Sequence, residues 1–391
     1  MDSVTKSLYI HIPFCRRKCD YCDFFSVPCA KNVPNEYISA LKNEISFLKK
    51  FYTISSWRTV YIGGGTPSLM TNEQIEDLCS FVAKNNKGDC EFTIEMNPDD
   101  ITPSLLQAAF SSGVNRLSVG VQSLNDSALQ AVNRRCTRET TLKALEIIKQ
   151  IWHGSFSLDA IAGLVGQNTD EFLRSLAEII SFAPNHISLY SLMIEESTPL
   201  YSRISRGEVR YNEDESDEQW LLGKEMLEKR GFLQYEVSNF AQKGHESKHN
   251  CTYWHLEDYF GCGSGATGSL YENALRWTNT NDIKQYIAYW TASDKKFLLQ
   301  TIPRENEVLS MEIQEEEFLM MGFRLLSGVS AEEYKRRFSK DLGTRLGTKD
   351  GVFSKWQSRG DAKMYIKENE HFYALTEKGI LFLNTFLEEI L

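Results

Sequence analysis

Six short apolar segments, each followed by a longer stretch with helical periodicity, constrain the fold of this chain more than any other feature. The segments cover residues 7–13, 59–62, 91–96, 116–121, 156–161 and 186–191. Strands that alternate with helices in this way are typical of βα units, whose strands pair in parallel. We therefore predict an α/β fold, with a partial (β/α)6 TIM-like barrel that binds its ligands beyond the carboxyl ends of the strands.

The helical stretches between these segments have recognisable ends and one apolar face. Residues 36–50 repeat isoleucine and leucine at helical spacing, which predicts a stripe that packs against the sheet. Thr71 and Gln74 have the spacing of a capping box, and Thr102 precedes Pro103, a residue type favoured at the first helical position. The sequence therefore predicts that helices begin directly after Thr71 and Thr102.

The length of the chain favours more than one domain. Its 391 residues exceed what a single hydrophobic core usually organises. The alternation of strands and helices fades after about residue 200, an acidic stretch over residues 210–219 predicts the start of a connecting helix, and residues 244–268 indicate a loop-rich segment. We expect the (β/α)6 core over residues 1–205, connecting helices over residues 206–300, and a small C-terminal helical, winged-helix-like domain over residues 301–391.

Composition argues against several classes of protein. The formal net charge of −10 gives no sign of the basic surface that nucleic-acid binding requires. There is neither a secretory signal nor an apolar run of about 20 residues, so we expect a cytoplasmic protein. The nine cysteines are odd in number and three of them lie within eight residues, a pattern that indicates metal binding in a reducing compartment rather than a disulfide framework.

The three clustered cysteines are the sharpest chemical signal. Cys15, Cys19 and Cys22 lie in a predicted loop directly after the first predicted strand, with three basic residues between the first two. Three thiolates on one turn of chain suit an iron–sulfur cluster, and nearby cations offset its negative charge. A [4Fe-4S] cluster held this way leaves one iron open. The alternative is a zinc site or an incidental group with His11 or Cys29.

Glycine and polar residues occur at the carboxyl ends of later predicted strands, or interrupt them. They are the glycine-rich stretch 63–67, Glu95, Gln122, Arg134 and Asp159. Consecutive glycines let backbone N–H groups approach a ligand closely, and a charge inside an apolar strand is costly unless it finds a partner. These positions therefore predict a shared ligand with amine, carboxylate and ribose groups. For any one residue the alternative is a structural ion pair, such as Glu95 with Arg116.

These motifs together resemble a known superfamily. The C-x3-C-x2-C spacing is similar to that of radical S-adenosylmethionine (SAM) proteins, in which the open iron binds the amino and carboxylate groups of SAM. The stretches YIHIPFCRRKCDYC, YIGGGTPSLM, EMNPDD, NRLSVGVQSLND and residues 159–167 resemble the group that contains oxygen-independent coproporphyrinogen III dehydrogenase (HemN) and the heme chaperone HemW. The positions that match SAM contacts in that group are Tyr9, Gly64, Gly65, Thr66, Glu95, Gln122, Arg134 and Asp159, and Tyr21 matches an aromatic position in the cluster loop.

Three features favour the chaperone branch of this group. The dehydrogenase branch has a further cysteine two residues after the third, where this chain has Phe24, and a longer segment before the first strand, where this chain has fourteen residues before Cys15. Residues 249–254 match the H-N-x-x-Y-W pattern of the chaperone branch, and GCGSGATG follows at residues 261–268. The resemblance implies a protein that binds heme and passes it to an apo-hemoprotein of the respiratory chain, with an electron donor and a homodimer as further expectations.

The H-N-x-x-Y-W segment is the predicted heme site. A neutral imidazole at His249 can ligate heme iron, and the following aromatic rings offer flat faces for a porphyrin. The alternative is that His249 only braces a loop over the barrel mouth, and His245, His255 and Cys251 are rival ligands. The alternative function is oxidative decarboxylation of coproporphyrinogen III, and a third is a generic cluster-bearing electron carrier that does not bind SAM. Whether the chain is an enzyme stays open at this point.

Overall fold

Strands and helices alternate through the first half of the chain. In the computed structural model, which describes residues 4–84, 86, 88–293 and 296–391, the strands of this half are β1 Val4–Ile12, β2 Phe14–Cys15, β3 Val27–Pro28, β4 Ile54–Gly64, β5 Glu91–Met96, β6 Arg116–Gln122, β7 Ser155–Ala162 and β8 His186–Ser191. The helices are α1 Asn35–Phe51, α2 Asn72–Ala83, α3 Pro103–Ser111, α4 Asp126–Ala131, α5 Arg138–Ile151, α6 Thr169–Ser181 and α7 Pro199–Ser205. All six predicted strands are confirmed, although the second begins earlier, at Ile54.

Six of these strands form the parallel part of one sheet, in the order β1-β4-β5-β6-β7-β8. Side chains alternate between the two faces of each strand. On β1, Leu8 and Ile10 are fully buried in the apolar core that the helices share, whereas Ser7 and Tyr9 lie on the other face. We call that second face the inner face of the barrel, and it is mainly polar.

The predicted helix starts are confirmed by their caps. The Thr71 side chain accepts a hydrogen bond from the N–H of Gln74, whose own side chain accepts one from the N–H of Thr71, which completes a capping box. Thr102 Oγ1 accepts from the N–H of Leu105 at 3.1 Å, and Pro103 is the first residue of α3. Within the described residues, no helix is both long and apolar enough to cross a membrane.

The second half extends the same sheet to twelve strands. Its further elements are α8 Glu213–Lys229, β9 Leu233–Gln234, β10 Asn239–Ala241, α9 Lys248–Trp254, β11 Tyr259–Cys262, β12 Thr267–Leu270, β13 Leu275–Asn279, α10 Ile283–Trp290 and β14 Arg304–Val308. The predicted connecting helix is confirmed as α8. The prediction that residues 244–268 form a loop-rich segment is correct only in part, because this stretch also contains α9, β11 and the start of β12. β11 pairs in parallel with β1, and so short a strand carries little periodicity of its own.

The glycine-rich stretch 261–268 turns the chain from β11 into β12. Its backbone is held by buried side chains of α1: the N–H of Gly263 donates to Glu44 Oε2 at 2.8 Å, and the N–H of Ser264 donates to the Tyr37 hydroxyl at 2.9 Å. The Tyr37 hydroxyl in turn donates to the carbonyl oxygen of His11 at 2.9 Å. These bonds tie the turn to the carboxyl end of β1.

A separate small core organises the end of the chain. Its elements are α11 Met311–Gly322, β15 Val329–Ser330, α12 Ala331–Phe338, α13 Leu342–Leu346, α14 Val352–Ser358, β16 Ala362–Lys367, β17 Glu370–Leu375 and α15 Leu383–Ile390. The three strands form a sheet in the order β15-β17-β16, and Phe353, Trp356 and Phe386 pack edge to face beneath it. Helices with a β-hairpin agree with the winged-helix-like expectation. The exact boundaries at residues 205 and 300 stay predictions.

Candidate functional site

The three clustered cysteines lie on a loop at the carboxyl end of β1. Cys15 ends β2, and the chain returns in β3, directly after which the N–H of Cys29 donates to the carbonyl oxygen of Cys15 at 2.8 Å. Between them, the N–H of Cys22 donates to the carbonyl oxygen of Cys19 at 3.1 Å. All of these thiols are free and partly exposed. The Cys29 thiol is directed to carbonyl oxygens of its own turn, at 3.5 Å from Lys31 and Asn32.

The donor set of this loop fits an iron–sulfur cluster. No three His, Cys, Asp or Glu side chains in the described part of the chain are arranged to hold a single metal ion. A cluster does not require that arrangement, because each thiolate ligates a different iron. His11, considered in the sequence as a zinc ligand, has hydrogen-bond partners at both ring nitrogens. Its Nδ1 is 2.8 Å from the Tyr9 hydroxyl, and its Nε2 is 3.0 Å from the carbonyl oxygen of Phe25.

Loops from later strands contact the cysteine loop directly. Thr66, which follows β4 and is 3% exposed, has its hydroxyl 3.0 Å from Cys15 Sγ. Asn97 follows β5, and its side-chain nitrogen Nδ2 donates to the same Thr66 hydroxyl at 3.3 Å. Arg134, after α4, donates from Nη1 to Cys19 Sγ at 3.7 Å. The segments that follow β4, β5 and β6 therefore meet beside the cysteine loop, and Thr66 and Arg134 contact its sulfur atoms.

Arg134 is fixed by a set of acceptors around its guanidinium group. Nη2 donates to the carbonyl oxygen of Gly120 and to Asn97 Oδ1, the latter at 3.4 Å. Nη1 also donates to the Tyr21 hydroxyl at 3.3 Å, and Nε donates to Cys136 Sγ at 3.2 Å. A cation held beside thiol groups favours their thiolate form. Arg134 therefore holds a positive charge beside the sulfur atom of Cys19.

The glycine-rich stretch at the end of β4 packs against the junction of β1 and β2. Gly64 has φ +118°, a conformation that favours glycine, and a Cβ there would lie 2.6 Å from His11 Nδ1. Its N–H donates to Glu95 Oε2 at 3.1 Å, and the N–H of Gly65 donates to the carbonyl oxygen of Ile12 at 2.9 Å. The stretch thus has a structural role, and it also brings backbone groups to the edge of the cysteine loop.

Two carboxyl groups lie on the inner face below this edge. Burial raises the pKa of Glu95 to about 7, helped by the negative charge of Asp159. Burial also raises the pKa of Asp159 to about 6, against hydrogen bonds from Ser188 and Ser118. Arg116, considered above as a partner of Glu95, instead donates to the carbonyl oxygen of His245 at 3.0 Å. Two carboxyl groups with raised pKa values on one polar face are typical of a ligand site.

Gln122 has the most unusual backbone and side chain of the predicted site residues. It ends β6 with φ 69° at an irregularity in the pairing with β7, a conformation that costs free energy for a residue with a side chain. Its buried Oε1 has no hydrogen-bond partner among the described residues. An unsatisfied buried acceptor on a strained backbone fits a position that is completed by a ligand.

The H-N-x-x-Y-W segment lies at the opposite end of the barrel from the cysteines. The N–H groups of Lys248 and His249 donate to the carboxylate of Glu91, the first residue of β5, at 3.1 and 2.9 Å. His245 Nδ1 is 3.1 Å from the hydroxyl of Ser155, the first residue of β7. Because parallel strands start at one end of a barrel, α9 closes the amino end, whereas ligands were predicted at the carboxyl end.

His249 is buried there and both ring nitrogens are engaged. Nδ1 is 2.8 Å from the Thr59 hydroxyl, and Nε2 is 2.8 Å from the Tyr253 hydroxyl. Burial lowers the pKa of His249 to about 3, so that its imidazole is neutral. This geometry favours a bracing role for His249, but at the amino end of the barrel and not over its mouth as predicted. Heme ligation by His249 stays a prediction. Of its rivals, His255 is exposed, and burial raises the pKa of Cys251 to about 12.

Comparison with known proteins agrees with this architecture. Residues 9–179 match the Radical SAM superfamily, and residues 309–382 match the HemN C-terminal domain. The heme chaperone HemW of Bacillus subtilis (strain 168) is 35% identical to this chain, over 97% of both proteins. The chain belongs to the HemW family of radical SAM proteins. The heme chaperone HemW of Escherichia coli (strain K12) is 31% identical, over 98% of this chain and 97% of that protein.

The fold also resembles a solved relative of the HemW family. Coproporphyrinogen III oxidase (HemN) from Escherichia coli, described as a radical SAM enzyme, superposes with a TM-score of 0.80 over 98% of this chain and 89% of that chain. The two sequences are 19% identical, so this likeness concerns the fold alone. It confirms the predicted α/β radical SAM barrel with an added C-terminal domain.

Two residues of the site were not predicted from the sequence. Tyr61 on β4 donates its hydroxyl hydrogen bond to Glu95 Oε1 at 2.8 Å, and Asn97 links Thr66 to Arg134. Both residues lie two positions from a predicted one, Gly63 and Glu95, and alternate positions of a strand share a face. This period of two, extended along β4 and β5, would have identified them.

The raised pKa of Glu95 predicts how stability changes with pH. Between the ordinary value of 4.5 and about 7, the unfolded chain has lost a proton that folded Glu95 retains, so the free energy of unfolding falls as pH rises. A Glu95→Gln variant has no carboxyl group at this position, so this fall in the free energy of unfolding is absent. Its stability relative to the unaltered chain is expected to rise between pH 4.5 and 7 and to level off above, in chemical denaturation of the cluster-free protein. A pH-independent difference would contradict the raised pKa.

Proposed function

We propose that this chain binds heme and transfers it to apo-hemoproteins, with hemoproteins of the respiratory chain as the clients. The observation that carries the proposal is the 35% identity to a heme chaperone HemW over 97% of both proteins. Phe24, which stands where the dehydrogenase branch has a further cysteine, supports the same choice. The alternative, oxidative decarboxylation of coproporphyrinogen III, has the similarity in fold to HemN in its favour.

The cofactors of this function are a [4Fe-4S] cluster and SAM. Cys15, Cys19 and Cys22 would hold the cluster, and their placement on one loop beside the Arg134 guanidinium supports this assignment. When bound, the cluster would be able to supply an electron to the sulfonium group of SAM. The residues that would bind SAM are Tyr9, Tyr21, Gly64, Gly65, Thr66, Glu95, Gln122, Arg134 and Asp159.

The contributions of these side chains follow from their charges. Glu95 and Asp159 offer acceptors to a cationic ligand, and binding such a ligand would lower their raised pKa values. Gln122 Oε1 offers an unpaired acceptor, and Arg134 keeps its positive charge near Cys19 Sγ. A ligand with an ammonium group, hydroxyls and a carboxylate would satisfy this set, which is the polarity of SAM.

The partners follow from the same proposal. An electron donor must reduce the cluster, and an apo-hemoprotein must receive the heme. We place the protein in the cytoplasm, where it meets membrane-bound clients peripherally, and as a homodimer. The heme ligand predicted from the sequence is His249, where a heme would first have to displace Thr59 and Tyr253 from the ring nitrogens. The rival His255 is an exposed residue.

One experiment separates the two functions. The protein, purified anaerobically with its cluster, is titrated with hemin and incubated in parallel with coproporphyrinogen III, SAM and a reductant. We expect a saturable Soret band and no decarboxylated product. Formation of protoporphyrinogen at many turnovers per chain, without saturable heme uptake, would overturn the proposal in favour of the dehydrogenase function.

A further inference from the structure

We infer that His249 is a positioning residue for Glu95, acting through the ring of Tyr61, so that the H-N-x-x-Y-W segment supports the SAM site from the opposite end of the barrel. The inference rests on the assignment of Glu95 to SAM in the proposed function. It gives the segment a role in a cofactor site that it does not touch.

The first step is the fixed position of the His249 ring. Its two nitrogens bond to Thr59 and Tyr253, each at 2.8 Å, and its backbone N–H donates to Glu91 at 2.9 Å. The residue is 1% exposed. An imidazole bonded at both nitrogens and packed on all sides has one orientation, so the ring forms a rigid support on the inner face.

The second step is the stacking of Tyr61 on that support. The rings of Tyr61 and His249 have centroids 5.2 Å apart and planes inclined by 24°. Tyr61 also stacks with Tyr9, at 6.3 Å and 26°. Aromatic pairs at these separations add a modest attraction beyond the area that they bury. The Tyr61 ring is thus held by two neighbouring rings, one of them on the segment that closes the amino end.

The third step is the contact between Tyr61 and Glu95. The Tyr61 hydroxyl donates to Oε1 at 2.8 Å, and the N–H of Gly64 donates to Oε2 at 3.1 Å, so both carboxylate oxygens are held. The Tyr61 ring and the Glu95 carboxyl group both pack closely against Gly63. A Cβ on Gly63 would lie 2.9 Å from the Tyr61 ring and 3.0 Å from the Glu95 carboxyl group. A shift of the Tyr61 ring would therefore move the carboxyl group.

The test measures the dissociation constant of SAM by equilibrium dialysis against the cluster-loaded protein. His249→Gln retains a polar group for Thr59 but removes the stacking ring, and Tyr61→Phe retains the ring but removes the hydroxyl. We expect each variant to bind SAM roughly 10-fold more weakly, because Tyr61→Phe removes a hydrogen bond to the Glu95 carboxyl group and His249→Gln removes the ring that holds Tyr61 in place to make it. We expect the double variant to be no weaker than either single one, because both act through the same carboxyl group.

The controls separate positioning from loss of structure. His153→Ala changes an exposed histidine between α5 and β7 that has no role in the proposed function, and it is expected to leave SAM binding unchanged. Iron content and the unfolding midpoint show that each variant is folded and loaded. The SAM-induced change in the electron paramagnetic resonance spectrum of the reduced cluster should shrink in His249→Gln and Tyr61→Phe at a fixed SAM concentration.

Two results would overturn the inference alone: an unchanged SAM dissociation constant in a folded His249→Gln variant, or additive losses in the double variant. If the unaltered, cluster-loaded chain bound no SAM, the cofactor assignment would fail and the inference would fail with it. If the His249→Gln variant did not fold, an unchanged affinity in Tyr61→Phe would still overturn the inference.

Discussion

A Cys19→Ser variant is expected to hold almost no iron or acid-labile sulfide after anaerobic reconstitution, whereas the unaltered chain should hold about four of each. The hydroxyl of serine is a harder and much less acidic donor than a thiol, so it does not replace a thiolate on iron. Cys19 lies beside Arg134 Nη1, and the same loss is expected for Cys15 and Cys22. Iron and sulfide analysis, with the visible absorption of the cluster, measures the effect.

Cys29→Ser is the matched control for this loss. Cys29 is another partly exposed free thiol near the loop, but its sulfur is directed to the carbonyl oxygens of its own turn. A serine hydroxyl can make similar bonds, so this variant should keep the full cluster content. Equal iron and sulfide in Cys19→Ser and Cys29→Ser would contradict the assignment of the three cysteines.

An Arg134→Ala variant is expected to keep much of its cluster but to bind SAM roughly 10- to 100-fold more weakly. The guanidinium joins the cysteine loop, Tyr21, Asn97 and the carbonyl oxygen of Gly120. Its removal leaves these groups without their donor and takes a positive charge away from the sulfur atoms. Equilibrium dialysis of the cluster-loaded variant gives the change in affinity.

Arg135→Ala controls for the loss of one positive charge at the barrel mouth. Arg135 is exposed and pairs with Asp99 at 2.9 Å and Asp100 at 3.2 Å, whereas the arginine that donates to Cys19 Sγ is Arg134. Surface ion pairs of this kind contribute little, so SAM binding should change less than about twofold in this variant. The loss of SAM affinity in Arg134→Lys should lie between the losses in Arg134→Ala and Arg135→Ala, because a lysine keeps the charge but not the forked set of donors. Equal losses in Arg134→Ala and Arg135→Ala would contradict a specific role for Arg134.

The parallel part of the fold could be predicted from the sequence because its strands are long and each is followed by an amphipathic helix. Residues 91–96 and 186–191 coincide with the strands of the structure, and the caps at Thr71 and Thr102 fix two helix starts. β11 could not be predicted in the same way. Its four residues pair with β1, a partner more than two hundred residues away, and no local pattern signals that contact.

The site could be predicted in part, for a related reason. Cys15, Glu95 and Arg134 are conspicuous as residue types, and their strand ends were predicted to meet at one edge. Tyr61 and Asn97 carry no charge whose burial would mark them, so only their spacing from neighbours could single them out. The position of His249 depends on which end of the barrel α9 closes. That is a property of long-range packing, which a motif of six residues does not encode.

The central claim is that three thiolates leave one iron open and that the polar groups at the barrel mouth hold SAM against it. Electron paramagnetic resonance of the reduced cluster, recorded before and after addition of SAM, tests this most directly. We predict a [4Fe-4S] signal that changes on titration with SAM in the unaltered chain and changes far less at the same SAM concentrations in Arg134→Ala. A signal that does not respond to SAM, or stoichiometric zinc without inorganic sulfide, would contradict the claim.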